Sequence, residues 1–289
     1  MSLSFTASND LTIQDNDLIS YKKMNHIIDV KSCKFQNNNL NKIKKINKNE
    51  YVDITTGQIK QYNLSDKKSE NIESLKKTFS RLRDLINNNF QGLENEVHLV
   101  LTYKENMQCN KRLYSDVDIF LKKWKYWFGK NYEYINVIEP QGRGAWHCHL
   151  LIKESNYNKL YIPWQKIKKI WTHGNIHINK LNNIDNIGMY LSAYFTDIET
   201  NVDFNKTVNN KRYKKGGRLH LYPKDMKLYR HSKNIKPPEI CKATFKEFKK
   251  NTGLEQPAFC KNIKVYKDNK LINEINYLNY NTKKNIDNC

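Results

Sequence analysis

The sequence predicts an α+β fold in which an antiparallel sheet carries packed helices. Apolar runs of strand-like composition alternate with segments whose apolar residues recur every three or four positions. No Gly-rich phosphate loop accompanies them, which argues against a nucleotide-binding doubly wound sheet and against ATP consumption. A Pro- and Gly-rich turn, Pro140-Gln-Gly-Arg-Gly-Ala145, joins two of the apolar runs, so that region reads as a β-hairpin. With 289 residues and 38% hydrophobic content, the chain can bury one substantial core with appendages.

Taken in order, the first fifty residues are polar and rich in Asn and Lys, with a charge run at 41–49 that predicts a solvated face or a mobile arm. Tyr51–Ile54 and Ile59–Tyr62 predict a short hairpin around Gly57. From Glu70 onward, Ile72, Leu75, Phe79, Leu82 and Ile86 mark an amphipathic helix. His98–Tyr103 reads as a buried strand. A second helix runs from about Lys111 to Phe128, with Leu113, Val117, Phe120, Leu121, Trp124 and Phe128 on one stripe. Tyr134–Glu139 and Trp146–Ile152 are the hairpin strands. Pro163 suits a first helical position, and Trp164, Ile167, Ile170 and Trp171 form the apolar side of a short helix ending near Gly174. Asn175–Asn179 is a further strand, followed by a helix over about 184–198 with Ile184, Ile187, Leu191, Phe195 and Ile198 on its core stripe. Past Glu239 the chain turns Lys- and Asn-rich again and shows no chemistry. These shifts predict an N-terminal basic extension with a short hairpin at 1–67, a central domain at 68–235 and a C-terminal extension at 236–289.

The hairpin holds the candidate site. Side chains alternate along a strand, so His147 and His149 share one face while Cys148 points to the other. Folding back at the turn brings Glu139 opposite His147. Two imidazoles and a carboxylate on rigid elements suit a divalent cation with positions left open for substrate. His98 borders the neighbouring strand as a core residue or a support to the ligands, and His173, His177 and His220 read as structural or solvent-facing.

Charge indicates the partner. Lys and Arg number 50 against 29 Asp and Glu, a formal +21 with a pI near 9.5, the footprint of a protein that binds a polyanion such as nucleic acid. No apolar run approaches a membrane span, and no secretion signal opens the chain. Six cysteines at 33, 109, 148, 241, 260 and 289 show neither zinc-knuckle nor disulfide spacing, so a reducing, cytoplasmic location is expected. Candidate DNA contacts are Arg143 in the hairpin turn and the basic stretch 206–218, with Arg212, Lys214, Lys215 and Arg218 around Tyr213.

Tyr190 and Tyr194 are four residues apart, so on a helix they stack along one side, Tyr194 at the flank of the core stripe and Tyr190 further out. Both hydroxyls can leave the core, either as boundary aromatics or as nucleophiles. Beside a bound cation, a phenolate can attack a phosphodiester, forming a phosphotyrosine link and a free 3′-hydroxyl. One phosphoester replaces another, so the step reverses without ATP.

At this point three motifs, in order, resemble those of the rolling-circle replication initiators of the HUH endonuclease superfamily, the small Rep proteins of bacterial plasmids and phages. They are Leu99-Val-Leu-Thr-Tyr103, Gly144-Ala-Trp-His147-Cys-His149-Leu-Leu, and Tyr190-Leu-Ser-Ala-Tyr194, within a similarity spanning roughly residues 95 to 235. The resemblance implies a sheet of about five antiparallel strands and Mg or Mn on His147, His149 and Glu139. It also implies site-specific nicking and closing at a plasmid or phage origin, with a host helicase and replication machinery as partners. Some relatives replace the first tyrosine by a carboxylate, which points to Tyr194 as principal nucleophile and Tyr190 as the second. The chain departs from the pattern at Ala193 and Asp197, where many relatives carry Lys; Lys211, Lys214 and Lys215 are then the candidates for an assisting lysine. A relaxase or single-strand transposase would use the same site, and a non-catalytic DNA-binding regulator would keep the histidines as structure.

Overall fold

The computed structural model describes residues 3–35, 43–54, 56–62, 72–129, 131–156, 158–182, 184–192, 221–223 and 226–283. The chain divides into two units, one of residues 1–22, 28–66 and 239–288, the other of 23–27 and 67–238. The first unit opens with β1 (Leu3–Ser8), β2 (Leu18–Met24) and β3 (Ile27–Cys33). β4 (Ile43–Lys45), β5 (Glu50–Asp53) and β6 (Ile59–Gln61) then form a three-stranded antiparallel sheet. The β5–β6 turn has Gly57 at a φ of 69°, as the predicted hairpin requires.

The second unit begins with α1 (Ile72–Asn89), whose Leu75, Phe79, Leu82 and Ile86 are buried at the predicted helical spacing. β7 (Glu96–Thr102) and α2 (Asn110–Phe128) follow, then the hairpin strands β8 (Tyr132–Pro140) and β9 (Trp146–Glu154). α3 (Trp164–Ile170), β10 (Ile176–Lys180), α4 (Ile187–Ser192) and β11 (Tyr229–His231) complete it. The strands form one antiparallel five-stranded sheet in the order β10-β7-β9-β8-β11, matching the expected α+β class.

Helices lie on both faces of this sheet. The face bearing Cys148 also carries Tyr132 and Arg230 by register, and these reach α2: the Tyr132 hydroxyl donates to the Leu121 carbonyl at 3.0 Å, and Arg230 pairs with Asp118 at 3.0 Å. The opposite face carries His147, His149 and Lys153, and the Lys153 ammonium donates to the Asn89 carbonyl of α1. Covered on both sides and paired on both edges, β9 is buried along almost its whole length. Pro163 departs from its predicted role: it caps α3 in extended conformation at φ −64° and ψ 117°, and the helix starts at Trp164. Ile167 and Ile170 take the core side, which leaves Trp164 outside the predicted apolar stripe and exposed.

After residue 238 the chain returns to the first unit with β12 (Ile240–Thr244), α5 (Phe245–Thr252), β13 (Phe259–Lys267) and β14 (Lys270–Asn281). The six-stranded sheet has the order β1-β13-β14-β3-β2-β12, so segments from the two ends of the chain alternate across it. Ile19, Ile28 and Val30 meet Phe245, Phe248, Leu278 and Tyr280 in its core. α5 has a complete capping box between Thr244 and Glu247 and ends at Gly253 with a φ of 68°.

Leu150 is fully buried on the central strand, between the two metal-face residues His149 and Leu151. Leu150→Ala is expected to lower unfolding free energy by about 2–5 kcal/mol in urea titrations, the cost of an unfilled cavity.

Candidate metal centre

The β8–β9 hairpin is closed by the Gln141 N–H donating to the Ala145 carbonyl at 2.7 Å, with Gly144 at a φ of 88° that side chains rarely adopt. This closure sets Glu139 opposite His147 and Val137 opposite His149, the register the sequence predicts. Three donor atoms then converge: His147 Nε2 lies 2.9 Å from His149 Nε2, and Glu139 Oε2 lies 3.2 Å from the first and 3.1 Å from the second. All three side chains are buried. One proton cannot bridge all three contacts. A cation with ligand bonds of about 2.1 Å would separate neighbouring ligand atoms by about 3 Å, so this donor set fits one. Among the described residues it is the group of three metal-ligating side chains that meets in this way.

The third imidazole decides how His149 presents itself. His98 Nε2 is 3.0 Å from His149 Nδ1, and the rings stack at 5.2 Å. A proton on His149 Nδ1, donated to His98, leaves the Nε2 lone pair facing Glu139 and His147. That assignment needs both rings neutral. Burial pushes His98 down to about 3, helped by the neighbouring His149 and His147, and burial also lowers His149 against the opposing pull of Glu139. Burial alone would raise the Glu139 carboxyl, but hydrogen bonds with His147 and His149 outweigh it and hold the group at about 2. Neutral imidazoles and an ionised carboxylate are the protonation states that metal binding requires. Cys148, on the other face, receives a hydrogen bond from the Asn136 amide, and burial pushes its thiol up to about 12, so it is no ligand.

The tyrosine helix is partly described. Tyr190 lies on α4 and is 42% exposed, consistent with its predicted position away from the core stripe, of which Ile187 and Leu191 are buried. α4 docks on α1. The Asn87 side chain accepts from the Gly188 N–H at 2.8 Å and donates to Asn186 Oδ1 at 3.0 Å, while Asn186 accepts from the Met189 N–H at 2.8 Å. A β-carbon at Gly188 would fall 2.6 Å from the Arg83 carbonyl oxygen and 2.6 Å from Asn87 Oδ1, so the close approach requires glycine. Since α1 lies on the metal face, α4 is docked to the helix of that face. Tyr194, Asp197, Lys211, Arg212, Lys214, Lys215, Arg218 and His220 lie outside the described residues.

Arg143 is engaged within the chain. Its guanidinium donates to the carbonyls of Tyr103 at 2.6 Å, Lys104 at 3.3 Å and Glu105 at 3.4 Å, tying the hairpin turn to the end of β7. His173 lies 3.6 Å from Asp116 of α2, and His177 is exposed on β10.

A sheet that presents two imidazoles and a carboxylate to one point, with a tyrosine-bearing helix docked to its flanking helix, defines the class as an α+β protein with a candidate divalent-metal centre. Residues 96–199 match a family model of replication-associated proteins, the ORF2 type. The matched segment runs from β7 past α4 and includes Glu139, His147, His149 and both tyrosines. No curated protein gives a match. Among the described residues, no helix is long and apolar enough to cross a membrane.

Two outcomes are expected of His98. His98→Leu should weaken Mn binding by about 10- to 100-fold in calorimetry, whereas His98→Gln, whose amide oxygen can still accept from His149, should retain most of it. Because the folded-state value of His98, about 3, lies below the ordinary 6.5, the unfolded chain takes up that proton first; stability is full above 6.5 and lost as pH falls from 6.5 toward 3. Thermal melts of the metal-free protein across that window should show a steeper decline than those of His98→Gln.

Proposed function

We infer that the chain is a replication initiator that nicks and rejoins one DNA strand by transesterification to tyrosine, in the manner of the HUH endonucleases. The observation that carries this reading is the Glu139, His147 and His149 cluster inside the segment that matches the replication-associated family model. Positive charge supplies a means of holding DNA, and the +21 balance supports phosphate contacts over much of the surface.

In this reading His147, His149 and Glu139 hold a divalent cation, with His98 fixing the His149 tautomer. When bound, the ion neutralises charge on the scissile phosphate and polarises it. The hydroxyl of Tyr194, or of Tyr190, loses its proton, and the phenolate oxygen forms a bond to phosphorus as the bond to the 3′ oxygen breaks. The strand is left with a 5′-phosphotyrosine link and a 3′-hydroxyl, which can attack the link in turn and restore the phosphodiester. The Asn87, Asn186 and Gly188 contacts position the tyrosine helix on α1. A second tyrosine would let the protein accept a second strand while the first link is held.

The ion is Mn or Mg. Two imidazole ligands favour Mn, because Mg prefers oxygen and keeps its waters. The substrate proposed is single-stranded or cruciform origin DNA, and a host helicase would unwind ahead of the exposed 3′ end.

Purified protein incubated with single-stranded DNA from its own origin and Mn should form an adduct that survives denaturing electrophoresis. Tyr194→Phe, or the double variant with Tyr190→Phe, should lose the adduct. His147→Ala with His149→Ala should also lose it while keeping salt-sensitive DNA binding. An adduct that persists without the histidines would contradict the assignment, and binding without any adduct or metal dependence would favour a regulator. Gly188→Ala should cost about 1–3 kcal/mol through overpacking and reduce adduct yield, with Mn affinity unchanged.

A further inference from the structure

The face of the sheet opposite the metal centre carries α2, and α2 and α3 expose rings that the core does not account for. Trp127 is 48% and Trp164 47% exposed, with Tyr126 at 83% and Tyr161 at 80%. The other tryptophans, Trp124, Trp146 and Trp171, are buried. Lysines stand among these rings. Lys166 Nζ on α3 lies 5.5 Å from the centroid of Trp127 on α2, so the two helices meet at this surface, and Lys168 Nζ lies 4.8 Å from that of Trp164. Neither the stretch 119–132 nor the stretch 155–184 contains an Asp or Glu. At one margin Glu94 pairs with Lys159 at 3.3 Å.

Exposed aromatic patches of this kind mark interaction sites. A protein partner is disfavoured by the composition, since the cores of protein interfaces are depleted of lysine. Rings interleaved with ammonium groups and no carboxylate suit a polyanion that also has flat apolar faces: unpaired bases stack on the rings while phosphates meet the lysines. A duplex offers the phosphates, but its bases are already stacked on each other. The combination therefore selects a single strand.

We propose that the α2–α3 surface is a second binding site for single-stranded DNA, on the opposite side of the sheet from Glu139, His147 and His149. It does not depend on metal or on nicking. Strand opening produces unpaired DNA on both sides of a cut, and this surface gives one part of it a place away from the metal centre.

The test is a titration of the full-length protein with oligothymidylate in EDTA, reading tryptophan fluorescence and oligonucleotide anisotropy together. Trp127 and Trp164 are the exposed fluorophores, so the proposal expects quenching on binding and protection of both rings from acrylamide. Trp127→Phe with Trp164→Phe should remove that response. Lys166→Glu with Lys168→Glu should leave the melting temperature near wild type, weaken the quenching titration about tenfold or more, and make its salt dependence shallower by roughly one unit in slope. Binding by anisotropy with unchanged fluorescence and unchanged acrylamide access would overturn the proposal. So would equal quenching by polyglutamate, which would assign the surface to an acidic protein, or equal quenching by duplex DNA.

Discussion

The pairing register between β8 and β9 is the constraint on which the remainder depends. Glu139 opposite His147 and Val137 opposite His149 place three ligands on one face. A slip of one residue would turn both imidazoles toward α2 and bring Cys148 and Leu150 to the metal side. Several contacts oppose the slip. The tight turn at Gly144 fixes the end of the hairpin, the Trp146 indole donates to the Gln108 carbonyl at 2.8 Å, and the Tyr222 hydroxyl donates to the Ile138 carbonyl at 2.8 Å. Leu150, Ile152 and Ile138 would all exchange buried apolar surroundings for a polar cluster, at a cost of order 1.5–3 kcal/mol for each side chain that became exposed. Apolar packing on one face thus fixes the chemistry of the other.

Electrostatics at the centre is local. A chain with a formal +21 repels cations at long range, yet beyond roughly 8–10 Å salt screens that repulsion. Within the cluster the sign is reversed: burial keeps His98 and His149 neutral, and Glu139 remains an anion because its histidine hydrogen bonds outweigh its desolvation. The same chain can therefore attract a phosphate backbone over its surface and a metal ion at one buried point. His98 couples the two strands: it holds a ligand of β9 from β7, so the orientation of His149 depends on the packing of β7 against it.

Much of the central unit was legible in the sequence because its signals are strong. The periodicity of α1 and α2, the hairpin turn, and His147 and His149 at strand spacing all appear in the structure where the residues predict them. The contact from His98 to His149 is harder to read, since it joins residues 51 apart and depends on the β7–β9 register. The six-stranded sheet is not legible in the same way. Its strands have apolar residues at alternate positions, Ile19 with Tyr21 and Ile28 with Val30, but Lys, Asn and Ser between them dominate the composition. Pairing between the two ends of the chain leaves no local trace, and this sheet is made of such pairings. One local signal is there to be used: Thr244-Phe-Lys-Glu247 followed by Gly253 has the capping box and the left-handed stop of a helix, and it delimits α5. Trp164 goes the other way, since spacing alone assigns it to a core stripe that Ile167 and Ile170 suffice to fill.

The central claim is that the imidazoles of His147 and His149, with the Glu139 carboxylate, bind one divalent ion. Pulsed electron paramagnetic resonance of Mn(II) in protein labelled with nitrogen-15 histidine tests it directly. The account predicts couplings from two directly bound imidazole nitrogens, both absent when His147 and His149 are replaced by alanine. Mn that binds tightly with no nitrogen coupling, or with couplings that survive the double replacement, would contradict it.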